Sequence, residues 1–266
     1  IENDRVVQLP SEQKPEKMFG WPGAMAPGWR LESVMPELTR RSVQFIEESA
    51  GSSKPFFLYM PLTAPHEPVA PDDPFLGASK AGRYGDFVNE VDWSVGEVLD
   101  ALSRTKLDRN TLVIFTSDNG PENPAYARVR EQGHRSMGPW RGVKRMLWEG
   151  GHRVPFIARW PGKIRAGSEQ EEVLCLTDMM ATFAGLAGRA LPEKAAEDSY
   201  DIRDALFGRR RKVPIREATV YHSYNGKFAL RQGDWVYLET AEGGGGRAEP
   251  EWWRDENEIP KHDAPA

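Results

Sequence analysis

The residues best suited to chemistry stand at the end of an apolar run. Leu112 to Phe115 lead through Thr116 and Ser117 into Asp118, Asn119, Gly120 and Pro121. A carboxylate and a carboxamide thus lie side by side where the chain must turn. Asp-Asn-Gly is good turn chemistry in any protein. The same pair also offers the hard oxygen ligands that calcium or magnesium takes. Calcium binds about six to eight oxygens. Asp118 and Asn119 supply roughly two or three of them and one negative charge, so a cation site here needs more acids from elsewhere.

His66 is the second candidate. It sits in PLTAPHEPVAP, where prolines on both sides stiffen the loop. A lone histidine serves structure more often than chemistry, but a ring held rigidly near water suits a general acid or an anion contact. Lys144, in RGVKRMLWEGGHRVP, is the third. With Arg141 and Arg145 it reads either as a solvated basic face or as a point charge on an anionic substrate. His134, His152 and His222 are weaker candidates. A divalent cation, a lysine and a histidine around one crevice suit transfer of a tetrahedral oxyanion group, sulfuryl or phosphoryl. No GxxxxGK[ST] loop occurs, which excludes a P-loop enzyme.

The elements that must position these residues follow from periodicity. Residues 1 to 30 read as loop. A helix is expected from Pro36 to about Ala50, with Gly51 as its stop. PFFLYM (55–60) has the pattern of a strand covered on both faces. Phe87, Val91, Val95, Val98, Leu99 and Leu102 form one stripe at helical period, predicting a helix from Tyr84 to Arg104. The run before Asp118 is the next strand, so strand, loop, helix and strand predict a right-handed βαβ unit. Ligand sites in such sheets form beyond the carboxyl ends of the strands. His66 and Asp118-Asn119 both sit beyond such ends. VPFIARW (154–160) is expected as a third buried strand. EEVLCLTDMMATFAGLAG is expected as a short strand and a helix capped by Thr177 or Asp178 and stopped by Gly188. After GRRRK (208–212), ATVYHSY, KFALRQ and DWVYLET read as short strands of a smaller antiparallel unit, with a hairpin turn at 232–234. GGGG (243–246) reads as a flexible loop.

Composition bounds the rest. The 266 residues are 39% apolar and 28% charged, which fits a folded chain with a sizeable core. The net charge of −5 argues against a nucleic-acid partner. No run is long and apolar enough for a membrane span. Cys175 stands alone, excluding an internal disulfide framework, and reads as a small buried hydrophobe. The first residues, IENDRVVQLP, do not form a signal peptide, and the last, IPKHDAPA, close no obvious element; both look like mid-chain sequence.

Five blocks carry a resemblance: KPFFLYMPLTAPHEP, GRYGDFVNEVDWSVGEVLDAL, NTLVIFTSDNGPE, RSMGPWRGVKRMLWEGGHRVPFIARWPGKIRAG and LCLTDMMATFAGLAG. In that order they resemble the arylsulfatase-type sulfatases of the alkaline phosphatase superfamily. The resemblance implies an α/β fold, incomplete here, with a central mostly parallel sheet flanked by helices. Residues 1–211 would be part of the catalytic domain and 212–266 the start of a small antiparallel C-terminal subdomain. It implies hydrolysis of an aryl or carbohydrate sulfate ester with Ca2+, Mg2+ standing second. Asp118 and Asn119 match metal ligands, Lys144 the lysine on the sulfate group, His66 the histidine near the sulfate and leaving oxygen. His134 falls where relatives approach the substrate. The family nucleophile is a formylglycine made in a C/S-x-P/A-x-R motif, and Cys175, followed by Leu-Thr-Asp-Met, does not fit it. The first pair of aspartate ligands is missing as well. The expectation is therefore a later portion of a sulfatase, inactive in isolation, from a protein that bacterial relatives place in the periplasm or outside the cell. The alternatives are a phosphodiesterase or phosphonate-ester hydrolase of the same superfamily, and a non-catalytic carbohydrate-binding relative.

Overall fold

The computed structural model describes residues 2–257, so the IPKHDAPA terminus lies outside the described residues. The chain divides into two compact units, Ile1–Asp108 and Arg109–Ala266.

In the first unit, residues before 34 are loop apart from a short antiparallel contact between β1 (Glu12–Gln13) and β2 (Ala24–Met25). Helix α1 (Val34–Ala50) starts two residues ahead of the expected Pro36, which sits in its first turn. Met35, Thr39, Ser42 and Ile46 recur every three or four residues and form its buried stripe. That stripe packs on α2 (Gly82–Arg104). The hydroxyls of Thr39 and Ser94 meet at 2.8 Å in this buried seam, which gives each a partner.

The buried face of α2 holds acids that the apolar stripe does not reveal. Asp86 accepts the Gly77 and Ser79 N–H groups at 3.0 and 2.8 Å, and Glu90 accepts the Asp72 N–H at 3.2 Å. These carboxylates tie the loop that follows the His66 segment to the helix. Val95, Val98 and Leu99, expected in the core, are only half-buried.

Residues 55–60 form no strand. Phe57 is 69% and Tyr59 76% exposed. A strand persists only where a ladder satisfies its backbone groups, and no ladder forms along this run. The expected parallel βαβ pairing is therefore not present among the described residues.

In the second unit, β3 (Val113–Thr116) runs from the apolar residues toward Asp118. Helix α3 (Ala125–Gln132) follows, then the one-turn α4 (Glu149–His152) and β4 (Phe156–Arg159). β3 and β4 pair antiparallel, Val113 opposite Arg159 and Thr116 opposite Phe156. β4 is covered on one face only: Phe156 and Ala158 point to the core while Ile157 is 60% exposed. Helices α5 (Met179–Leu186) and α6 (Arg203–Leu206) come next. Strands β5 (Thr219–His222), β6 (Phe228–Gln232) and β7 (Trp235–Leu238) form the expected antiparallel sheet, with Gly233 at φ 55° in the tight turn between β6 and β7. Helix α7 (Glu251–Glu256) ends the described chain. The mixed α/β class and the small C-terminal antiparallel sheet match expectation; the strand pairings are all antiparallel among the described residues.

Two cores hold this unit. Ile202, Ala205, Leu206 and Ile215 pack with Phe156 and Ala158 of β4. Ala125, Tyr126, Met137, Val143, Met146 and Trp253 form the other. Each fully buried aliphatic side chain contributes about 1.5–3 kcal/mol. No strand forms at 172–175; a single 3-10 turn, Leu176–Asp178, leads directly into α5. Asp178, expected as a cap, stands at the N-cap position of α5, but its side chain bonds none of that helix's N–H groups. Its carboxylate accepts the Cys175 N–H at 2.8 Å and the Tyr200 N–H at 3.0 Å and pairs with Arg216, both side chains being buried. Cys175 is half-buried.

Candidate active site

The Asp118 tip is built by close backbone approach. The Gly120 N–H donates to the Gly151 carbonyl at 3.0 Å. A Cβ on Gly120 would lie 1.8 Å from the Gly150 oxygen, so only glycine fits. Within the tip, the Asn119 N–H donates to the Asp118 carboxylate at 3.0 Å and the Asn119 amide nitrogen donates to the Gly120 carbonyl at 3.0 Å. The turn reading of Asp-Asn-Gly is therefore correct. It is also compatible with ligation, because the turn leaves the second Asp118 oxygen and the Asn119 amide oxygen as acceptors, and Asp118 is exposed.

Lys144 is bonded to this tip through its backbone. Its N–H donates to the Pro121 carbonyl at 2.8 Å. The lysine loop and the acid–amide turn are therefore joined through the backbone. The next residue, Arg145, has φ 78°, a left-handed conformation that an arginine holds only under constraint. Three contacts supply it. Arg145 pairs with Glu122, its carbonyl accepts the Tyr224 N–H at 3.0 Å, and its guanidinium lies 5.9 Å from the Tyr224 ring. Burial works against the Glu122 charge, yet the Asn123 N–H, Arg145 and Lys144 outweigh it and hold the carboxyl below its ordinary value.

The glycine run at 243–246 is not a free linker. The Leu147 N–H donates to the Gly243 carbonyl at 2.8 Å, and Gly243 and Gly245 are buried. A Cβ on Gly243 would meet the Trp148 ring nitrogen at 2.3 Å, and one on Gly245 would meet the Met146 side chain at 2.5 Å. The run packs against the back of the lysine loop. Between them lies a cavity of about 260 Å³ that Lys144 lines. Tyr224, Gly246 and Arg247 line it as well, and sequence reading missed all three. The available signal was a run of glycines, which absence of side chains makes look flexible when in fact it permits contact.

Beneath the loop, Arg141 pairs with Glu249 at 2.6 Å and lies 3.9 Å over the Trp148 ring, while Tyr126 donates to Glu249 at 3.4 Å. Arg141 is thus structural. His134 follows the left-handed Gly133 that ends α3; it is half-buried, and its N–H donates to the Arg128 carbonyl at 3.2 Å. His66 belongs to the first unit. It is exposed, and its Nδ1 donates to the Glu67 carbonyl at 2.6 Å, which leaves Nε2 outside that bond. Among the described residues, no three His, Cys, Asp or Glu side chains cluster as a metal site. Asp118 and Asn119 thus offer two side chains with hard oxygen donors and one negative charge.

His152 makes a pH prediction. Its ring stacks 4.5 Å from Tyr221 at the end of α4. Burial lowers its pKa below the ordinary value, with His222 adding to the effect; the Met146 carbonyl and Glu149 oppose it. The unfolded chain therefore binds this proton first. The stabilisation is fully present above about pH 6.5 and is lost as pH falls through the folded value. The denaturant midpoint should drop between about pH 7 and about pH 5, and His152→Gln should reduce that drop. An unchanged slope in the variant would refute the assignment.

Residues 21–189 match the family model named Sulfatase, which is more than half of the chain. The chain belongs to the sulfatase family. An N-acetylgalactosamine-6-O-sulfatase of Bacteroides thetaiotaomicron is 35% identical over 231 residues, covering 84% of this chain and 44% of the relative. The N-acetylgalactosamine-6-sulfatase of Canis lupus familiaris is 41% identical over 169 residues, covering 64% of this chain and 32% of the relative. A solved structure from Bacteroides thetaiotaomicron, described with that organism's metabolism of multiple glycosaminoglycans, superposes with a TM-score of 0.74 at 34% identity. It covers 82% of this chain and 45% of that one. This sulfatase chain thus spans less than half of the length of the curated relatives it matches, and it has their α/β, alkaline phosphatase-like fold. Asp118, Asn119, His134, Lys144 and His66 all fall inside the stretch that matches the sulfatase model, whereas Tyr224 and Arg247 fall beyond it.

Proposed function

We propose that the complete protein is a sulfuric ester hydrolase that releases sulfate from a carbohydrate sulfate ester. The observation that carries this reading is the 2.8 Å bond from the Lys144 N–H to the Pro121 carbonyl, which joins the loop that carries the lysine to the Asp118-Asn119 turn. The names of the curated relatives support a carbohydrate substrate over a simple aryl ester.

The residues then take these roles. Asp118 and Asn119 contribute oxygens to a calcium ion, with the remaining ligands coming from sequence outside these 266 residues; once bound, calcium neutralises charge on the ester sulfate. The Lys144 ammonium contacts an equatorial sulfate oxygen and stabilises the charge that builds there. His66 protonates the leaving oxygen. Because Nδ1 is held by the Glu67 carbonyl, the proton leaves from Nε2, so the ring acts in its cationic form. His134 approaches the sugar. The formylglycine nucleophile is supplied from outside the chain. Residues 1–211 belong to the catalytic domain and 212–266 begin the C-terminal subdomain; the separate β5–β6–β7 sheet supports that boundary. The protein acts in the periplasm or outside the cell.

The test compares the isolated 266-residue chain with the full reading frame on an aryl sulfate and its matched aryl phosphate. Sulfate release by the full frame alone is expected. Turnover by the isolated chain overturns the division of labour, and faster phosphate release overturns the reaction class.

A further inference from the structure

The cavity beside Lys144 carries a second cation. Arg247 lines it, is exposed, and makes no ion pair or hydrogen bond among the described residues. The acid in the same lining, Glu122, is already committed to Arg145 and to the Asn123 N–H. Lys144 and Arg247 therefore line one concave space of about 260 Å³, and among the described residues no carboxylate pairs with Arg247.

An aromatic platform borders that space. Tyr224 is 72% exposed, an unusual cost for a large ring on a concave surface. Its backbone is anchored. Its N–H donates to the Arg145 carbonyl at 3.0 Å, and the following Asn225 N–H donates to the Gly244 carbonyl at 3.2 Å. Gly244 and Gly246 have φ +65° and +74°. A Cβ on Gly246 would sit 3.4 Å from the Tyr224 ring, and one on Gly244 would strike the Ser223 hydroxyl at 2.4 Å. The glycine run thus places Tyr224 and a guanidinium without an ion pair among the described residues in the lining of the cavity that Lys144 also lines.

Resting on the sulfate-ester reading of this cavity, we propose that Tyr224 and Arg247 form an adjoining subsite that takes an acidic group on a neighbouring sugar. That group is a carboxylate or a second sulfate, with the sugar ring lying against Tyr224. Guanidinium is the side chain that grips such groups through two parallel N–H bonds, and an aromatic face suits the apolar face of a pyranose. Lys144, a point charge, holds the reacting sulfate, while Arg247 selects what stands next to it.

The experiment uses the full reading frame. Substrates are a disaccharide joining a hexuronate to 6-sulfated N-acetylgalactosamine, its analogue with a second sulfate in place of the carboxylate, and its neutral hexose analogue. Arg247→Gln should lower the ratio of kcat/KM for an acidic disaccharide to that for the neutral one by about tenfold or more, mainly through KM. The arm that responds identifies the acidic group. Tyr224→Ala should weaken all the disaccharides relative to an aryl sulfate, and Tyr224→Phe should restore them. An unchanged acidic-to-neutral ratio in Arg247→Gln overturns the proposal. Calorimetric binding of the sulfate-free hexuronate disaccharide separates this subsite from the catalytic reading. If the wild type hydrolyses no ester, the catalytic reading fails. Weaker binding by Arg247→Gln then still supports the subsite, and equal binding overturns it.

Discussion

Lys144→Met in the full reading frame is expected to lower kcat/KM for an aryl sulfate by about 10²–10³-fold, the loss usual when one preorganised donor to a developing oxyanion is removed. Methionine keeps the unbranched stem and removes only the charged head. The loop should survive the change, because Lys144 is tied to the Pro121 carbonyl by its backbone N–H and Val143 and Met146 beside it are buried. The melting temperature should therefore stay close to that of the parent while kcat falls. Lys144→Arg should recover little, since a planar fork replaces a compact ammonium in a cavity already lined by Arg145 and Arg247. Activity of Lys144→Met within tenfold of the parent would remove the lysine from the mechanism.

Gly120→Ala should act through the fold. The added methyl would stand 1.8 Å from the Gly150 oxygen, and both are backbone positions that no rotamer change can separate. The Asp118 turn must then part from the loop at 150–151 and lose the bond from the Gly120 N–H to the Gly151 carbonyl. A loss of about 3 kcal/mol or more is expected, at the upper end for overpacking, and with it any metal affinity that depends on Asp118 and Asn119. Gly96→Ala is the contrast. A Cβ there meets nothing within 4 Å, and the site lies inside α2. That change should stabilise by about 0.5–1 kcal/mol. Equal melting temperatures for the two variants would show that the close approach at Gly120 is not rigid.

The tip and the lysine loop illustrate how far local sequence reaches. Asp118-Asn119-Gly120 announced a turn with oxygen ligands because those side chains bond their own backbone, a property of neighbours in sequence. Helices α1 and α2 and the β5–β6–β7 hairpins were legible for a similar reason: periods of about 3.6 and 2 are written residue by residue. The failures are of another kind. The run at 55–60 has the composition of a buried strand, but a strand requires a ladder from a distant segment, and composition does not say whether that partner is present. β3 was read as the neighbour of a parallel strand, yet its ladder is with β4, some forty residues later, and antiparallel. The buried acids Asp86 and Glu90 broke the apolar stripe of α2 because their partners are backbone N–H groups on a loop, invisible to periodicity.

The sequence by itself determined helices α1, α2 and α5, the three hairpin strands, the candidate site residues and the family to which they belong, because each of these is encoded in short-range order or in blocks of characteristic residues; the short helices α3, α4, α6 and α7 carry too few turns for a period to show. Only the tertiary structure decided that Lys144 is bonded to the Asp118 turn, that the glycine run is a packed wall, and that Tyr224 and Arg247 share the lysine's cavity. These depend on backbone groups far apart in the chain approaching within hydrogen-bond distance, and that approach is set by the packing of the whole unit.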